Sequence, residues 1–208
     1  MKFVRKWKRI KFVTIKKRQN KISKQINNKA VFLDRDGTVI FEKPGVYLAD
    51  PKKVILYKNT LEGLKKLYKA GYKLFIVSNQ SGIGRGYFDE DTMLTVMASM
   101  LKKLKGVTIE GIAYCPHAPN VNCDCRKPLP KMGNEIIKGY KLDPQKCFMV
   151  GDKKSDMEFA KNIGVEGILV LTGNGKRQAA KYASYLKDFK HCANLRGVAN
   201  YILGKEQL

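Results

Sequence analysis

The sequence predicts an α/β protein built on a parallel sheet with helices packed on both faces. Three observations carry that reading. From residue 30 onward, short runs rich in β-branched and aromatic residues alternate with amphipathic stretches. Those stretches have recognisable helix starts and stops. Polar clusters stand directly after the strand-like runs, where an open parallel sheet binds its ligands.

Ala30–Leu33 is an unbroken apolar run and reads as a buried first strand. Asn59 or Thr60 can cap a helix that closes at Gly71, and residues 72–77 form the second strand. Asp89 or Asp91 opens a helix over 93–104 that stops at Gly106. The third strand covers 111–114, a helix follows around 132–138, and the fourth strand covers 147–150. Residues 156–163 form a helix closed by Gly164, residues 167–171 a fifth strand, and one or two helices lie beyond Gly175.

A chain of 208 residues with 44% hydrophobic content can bury one substantial core. Its net charge of +23 is unevenly spread: residues 1–29 hold twelve Lys or Arg and no acid. The remainder carries 29 bases against 18 acids, or +11. The expected organisation is a flexible basic extension over 1–29 and a single domain over 30–208. The extension is available to contact an anionic surface such as membrane or nucleic acid, though charge blocks of this kind ordinarily stay solvated. No apolar run approaches a membrane span, and five cysteines suit a reducing compartment, so a cytoplasmic location is expected.

Three thiols and an imidazole crowd into residues 115–125, as Cys115-Pro-His117-Ala-Pro-Asn-Val-Asn-Cys123-Asp-Cys125. Together they are the four ligands that a tetrahedral, structural Zn²⁺ prefers; a disulfide or merely buried cysteines are the alternatives. The loop runs straight into Arg126 and Lys127.

Asp34-Arg35-Asp36-Gly37-Thr38 places two carboxylates two residues apart just past the first strand. An aspartate can form an acyl-phosphate when a cation such as Mg²⁺ neutralises it and the phosphate together. The second carboxylate can protonate the departing alkoxide and then activate water. Gly37 permits the tight turn that lets both carboxyls and a backbone carbonyl face the metal. An isolated Asp-x-Asp is commonly a capped loop; here its company favours chemistry. Ser78 and adjacent N–H groups can bind phosphoryl oxygens, and Lys127 can pair with Asp34 and the phosphoryl group. Asp152 supplies a further metal carboxylate, with Asp156 one helical turn later as its support.

Asp-x-Asp-Gly-Thr, the strand-end Ser78, Lys127 and Gly-Asp-x-x-x-Asp resemble the four motifs of the haloacid dehalogenase superfamily of phosphatases, over about residues 30–175. The Cys-x-His and Cys-x-Cys loop followed by Arg-Lys-Pro is similar to that of two branches, the D-glycero-D-manno-heptose 1,7-bisphosphate 7-phosphatases and the histidinol-phosphate phosphatases. Asn79-Gln80-Ser81-Gly-Ile-Gly-Arg85-Gly and Gly151-Asp152-Lys153 resemble the heptose branch more closely. Arg85, Arg126 and Lys153 would also meet the second anionic group of a bisphosphate.

The resemblance implies a Rossmann-like three-layer αβα domain of the haloacid dehalogenase type, without a large cap domain and with a zinc-bound loop. It implies hydrolysis of the C7 phosphate of the heptose bisphosphate, a step toward nucleotide-activated heptose for lipopolysaccharide or surface polysaccharide. Histidinol phosphate is the alternative substrate, and a nucleic-acid-binding protein or nucleic-acid-end phosphatase a third reading. Asp34 would be the nucleophile and Asp36 the acid/base. Asp34, Asp36 (through its carbonyl) and Asp152 would hold Mg²⁺, and Cys115, His117, Cys123 and Cys125 would hold Zn²⁺. Ser78, in place of the branch's commoner threonine, and Lys127 would steady the phosphoryl group. Asp34, Arg35, Asp36, Glu42, Lys43, Pro44, Gly45, Ser78, Asn79, Gln80, Ser81, Arg85, Arg126, Lys127 and Lys153 would contact substrate. Glu42-Lys-Pro-Gly45 departs from the branch's usual Asp-x-Gly-Tyr. The expected partner is a small phosphorylated sugar, bound by a monomer with no obligate nucleic acid.

Overall fold

In a computed structural model, residues 4–7, 10–14, 28–43 and 45–206 are described. Six parallel strands form the body of the sheet: β3 (Ala30–Leu33), β4 (Lys73–Asn79), β5 (Gly111–Cys115), β6 (Cys147–Gly151), β7 (Glu166–Val170) and β8 (Lys190–Cys192). Two earlier strands, β1 (Val4–Trp7) and β2 (Ile10–Thr14), complete a sheet of order β1-β2-β5-β4-β3-β6-β7-β8. The chain leaves β3 toward β4 and β5, then returns to β6 on its other side. That reversal opens a crevice at the carboxyl ends of β3 and β6.

Alternate residues of each strand feed two cores. Val31, Leu33, Leu74, Ile76, Ile112 and Val150 pack against α1 (Thr60–Lys69), α3 (Glu90–Lys103) and α8 (Leu195–Lys205). Ala30, Phe32, Phe75, Val77 and Met149 face α4 (Lys131–Tyr140) and α5 (Lys154–Asn162). The two-residue period of a strand explains why each run is apolar throughout, since both faces are covered. This is the three-layer αβα architecture expected.

Helix boundaries follow local chemistry. The Asp89 carboxylate accepts from Thr92 N at 2.8 Å and starts α3 as a side-chain cap. Asn59 precedes α1 with φ of 68° and no side-chain capping bond, so its role there is conformational.

Four features differ from expectation. Within the segment expected as a flexible extension, residues 4–7 and 10–14 form an antiparallel hairpin. In it, β2 pairs β5 from Lys11↔Tyr114 to Thr14↔Gly111. The physical reason is that β5 would otherwise present an unpaired edge. The rest of the extension lies outside the described residues. The short strand β8 was not expected; it is three residues long, and its parallel pairing to β7 makes it a strand. A one-turn helix, α2 (Ser81–Gly84), holds two glycines, which disfavour helix in isolation. From Gly175 on, the described residues form three helices: α6 (Gly175–Lys181), α7 (Ala183–Leu186) and α8. Between β3 and α1 stands only a 3-10 turn at Pro51–Lys53, so the described residues hold no large cap there. None of their helices is long and apolar enough to cross a membrane.

Candidate active site

Asp34 leaves the end of β3 with its backbone N–H donating to Val150 O at 2.9 Å, which seats it between β3 and β6. Its side chain is buried beside Lys127, whose Nζ donates to Asp34 Oδ1 at 2.9 Å. The same ammonium reaches Asp156 Oδ1 at 2.6 Å and Val77 O at 2.7 Å, so its three protons each have an acceptor. Burial by itself would raise the Asp34 carboxyl, but Lys127 and, farther off, Lys153 outweigh it and hold the group below the ordinary aspartate value. Burial would likewise depress the Lys127 ammonium, and Asp156 and Asp34 overcome that. The Asp34 carboxylate is thus buried and kept anionic at the floor of a cleft.

Lys127 is set from the backbone. Asn79 Nδ2 donates to Lys127 O at 3.0 Å while Lys127 N donates to Asn79 Oδ1 at 2.9 Å. This two-way amide link ties the end of β4 to the segment after the Cys/His loop. Gln80 Nε2 donates to both Ser78 Oγ and Asp36 Oδ2 at 2.8 Å. Arg35 Nε stands 3.0 Å from each Asp36 carboxylate oxygen, and Arg35 Nη1 is buried with no partner inside the protein.

Asp152 lies beneath this layer, fully buried. Its Oδ2 accepts from Asn174 N at 2.7 Å, while its Oδ1 has no hydrogen-bond partner. Burial, with Asp34 and Asp156 nearby and Lys153 opposing, pushes its carboxyl up to about 8. Oxygens of Asp34, Asp152 and Asp156 all lie within 4.8 Å of one another. An orphaned buried carboxylate oxygen in such a cluster fits a hard cation such as Mg²⁺. Asp156 has both oxygens engaged, by Lys127 and by Lys153 N at 3.0 Å, which suits a supporting role. Gly37 adopts φ of +86°, and a Cβ there would stand 2.1 Å from Asp152 Oδ2; only glycine lets the β3 turn meet β6.

These groups floor an open cleft of about 290 Å³. Of the residues expected at the site, Asp34, Arg35, Asp36, Glu42, Gly45, Ser78, Asn79, Gln80, Ser81, Arg126, Lys127 and Lys153 line it. Arg85 does not: it is exposed at the far end of α2, which turns the chain outward. Lys43 is also exposed and off the cleft, and Pro44 lies outside the described residues. Lys153 Nζ pairs with Glu42 Oε2 at 3.1 Å. Burial, Asp36 and Asp34 push the Glu42 carboxyl up against the opposing pull of Lys153.

Sequence reasoning missed Tyr47 and Phe88, which form an apolar wall of the cleft, and the loop Thr172-Gly173-Asn174. Applying the strand-end rule to the fifth strand, as to the first four, finds the loop. Tyr47 has no comparable signal; it reaches the cleft by packing near Phe88 and Gly82.

Above the cleft, the four expected zinc ligands converge. Cys115 Sγ lies 3.7 Å from Cys123 Sγ, and His117 Nδ1 lies 3.5 Å from Cys115 Sγ and 3.3 Å from Cys125 Sγ. Tetrahedral zinc with Zn–S bonds of about 2.3 Å needs sulfurs roughly 3.8 Å apart. All five cysteines are free thiols, so the disulfide alternative fails, and the cluster can hold zinc. The loop is bolted to α2 and β4: Gly84 N donates to Pro116 O at 2.8 Å and Gln80 N to Cys115 O at 2.7 Å.

A parallel sheet carrying an aspartate pair, a buried lysine and a third buried carboxylate at the carboxyl ends of its strands defines a phosphatase of the HAD-like hydrolases. A HAD-hydrolase-like family model matches residues 124–197. The D-glycero-β-D-manno-heptose-1,7-bisphosphate 7-phosphatase of Pasteurella multocida is 42% identical over 165 residues, 73% of this chain and 89% of that protein. Its Helicobacter pylori counterpart is 37% identical over 171 residues, covering 81% and 97%. The crystal structure of D,D-heptose 1,7-bisphosphate phosphatase from B. bronchiseptica, complexed with magnesium and phosphate, superposes with a TM-score of 0.80 at 32% identity, covering 85% of this chain and 99% of that one. The chain belongs to the D-glycero-β-D-manno-heptose-1,7-bisphosphate 7-phosphatase family, and it is a phosphoric monoester hydrolase.

Proposed function

We propose that this protein removes the C7 phosphate of D-glycero-D-manno-heptose 1,7-bisphosphate through an aspartyl-phosphate on Asp34. The observation that carries the mechanism is the buried Asp34 carboxylate, held anionic by Lys127 at the cleft floor. Asp34 Oδ attacks phosphorus, and the bond from phosphorus to the C7 oxygen breaks. Asp36 protonates that departing oxygen, then takes a proton from the water that cleaves the acyl-phosphate, returning Asp34 and inorganic phosphate. Ser78, Lys127 and the N–H groups beyond β4 bind the phosphoryl oxygens as charge develops. Asp34, Asp152 and the Asp36 carbonyl would hold Mg²⁺, which when bound would neutralise the two anions that must approach each other.

Substrate choice rests on the relatives' activity and on charge. Arg126 and Lys153 line the cleft and offer cations to a second phosphate. Histidinol phosphate is the second reading, and Glu42 favours it, because a carboxylate in the cleft would accept an ammonium. Lys153 already occupies Glu42, which tips the balance to the bisphosphate. Measured kcat/KM on both anomers of the heptose bisphosphate should exceed that on histidinol phosphate by about 100-fold or more, the scale of an unpaired charged group. A preference for histidinol phosphate would sink the assignment.

The Cys/His loop, in this reading, is a zinc-stiffened scaffold that fixes Arg126 and Lys127. Arg126 Nη1 donates back to His117 O at 3.4 Å. Purified protein should carry one zinc per chain. Cys123→Ser should lose it, lower the melting temperature and raise KM more than it lowers kcat. Full zinc content in that variant would remove Cys123 from the ligand set.

A further inference from the structure

We propose that Asn174 is a positioning residue that aims Asp152 at the cation and ties the metal side of the cleft to its substrate side. The inference rests on the magnesium reading above. Thr172 Oγ1 donates to Gly37 O at 2.7 Å, and Gly173 N donates to Tyr57 Oη at 3.0 Å. These bonds press the loop after β7 onto the Asp34–Gly37 turn. Gly173 has φ of +53°, and a Cβ there would stand 2.4 Å from both Asp152 Oδ2 and Gly37 Cα. No side chain fits between the loop and the carboxylate.

Asn174 turns both its backbone and side-chain donors toward carboxylates. Its backbone N–H donates to Asp152 Oδ2 at 2.7 Å; its Nδ2 stands 3.3 Å from that oxygen and 3.0 Å from Glu42 Oε2. Arg177 Nη2 donates to Asn174 Oδ1 at 2.5 Å, so the amide has a fixed orientation, with its NH₂ between two carboxylates. One oxygen of Asp152 is therefore saturated, and Oδ1 alone is left for the cation, with Lys153 Nζ no nearer than 3.8 Å. Glu42, held by the same NH₂, holds Lys153 in turn. One amide thus serves both the metal carboxylate and a substrate-facing lysine.

Mn²⁺ binding to the full chain, read by electron paramagnetic resonance, tests this without turnover. Asn174→Ala keeps the backbone donor but loses the amide. Its Mn²⁺ Kd should rise about 10-fold, the usual effect of removing a partner of a metal ligand. Its melting temperature in EDTA should stay at the wild-type value, which a merely structural role would not allow. Asn174→Ser, with a short donor, should fall between and serves if the alanine variant does not fold. Wild-type Mn²⁺ affinity in either variant overturns the proposal. If even the wild type binds no Mn²⁺, the magnesium reading falls and the proposal with it. A wrong sugar assignment leaves the measurement untouched.

Discussion

Asp34→Asn should abolish turnover, lowering kcat by about four orders of magnitude or more, as removal of a covalent nucleophile does elsewhere. The substitution is nearly isosteric, so the β3 turn and its bond to Val150 O stay intact. What changes is chemistry: a carboxamide oxygen does not form the acyl-phosphate. Lys127 keeps Asp156 and Val77 O as acceptors, so the fold should survive and the loss should be confined to kcat. Acid quenching of the wild type with ³²P-labelled substrate should trap a phosphoprotein that the variant lacks. Retention of a tenth of wild-type turnover would rule out the covalent route for any substrate.

Lys127→Met should damage both stability and catalysis. It removes one charge and leaves Asp34 and Asp156, both buried, without their cation. Breaking a buried pair from one side costs about 3–5 kcal/mol. For a domain of this size that is a fall in melting temperature of roughly 10 °C or more. Loss of the cation facing the phosphoryl group should lower kcat by a further factor of about 10²–10³. The sign of the pH response follows from the same geometry. Without Lys127, burial raises the Asp34 carboxyl unopposed by its main cation, and the Asp156 carboxyl, which burial already raises, rises further. Their penalty is then full at high pH and shrinks as pH falls and they take up protons. Thermal melts in EDTA across acid and neutral pH would show a deficit that narrows toward acid. A deficit independent of pH would mean that Lys127 stabilises by packing and not by charge.

Much of the site was legible because its residues sit next to strand ends that the apolar pattern locates. Asp34, Ser78, Cys115 and Asp152 each follow such a run, and a parallel sheet brings those ends to one edge. The Cys/His loop was legible from spacing, since all four side chains lie within eleven residues. Arg85 stands outside the cleft lining, because a charge read along a chain says nothing of the direction α2 takes. Asn174 was missed because an asparagine after a strand reads as an ordinary turn until its carboxylate neighbours are seen. The basic hairpin was missed because the charge of residues 1–29 argues for solvation, while the unpaired edge that recruits β2 belongs to β5, about a hundred residues away.

The sequence by itself determined the αβα class, the order of most elements, the aspartate pair and the zinc-type loop. Those follow from periodicity and short-range spacing, which need no knowledge of which elements touch. Only the tertiary structure decided that Lys127 bridges Asp34 and Asp156, that Glu42 takes up Lys153, and that Asn174 saturates one oxygen of Asp152. Each of those contacts joins residues far apart in the chain or on different elements. Their energies depend on burial and on distances of a few ångströms, and folding alone sets both.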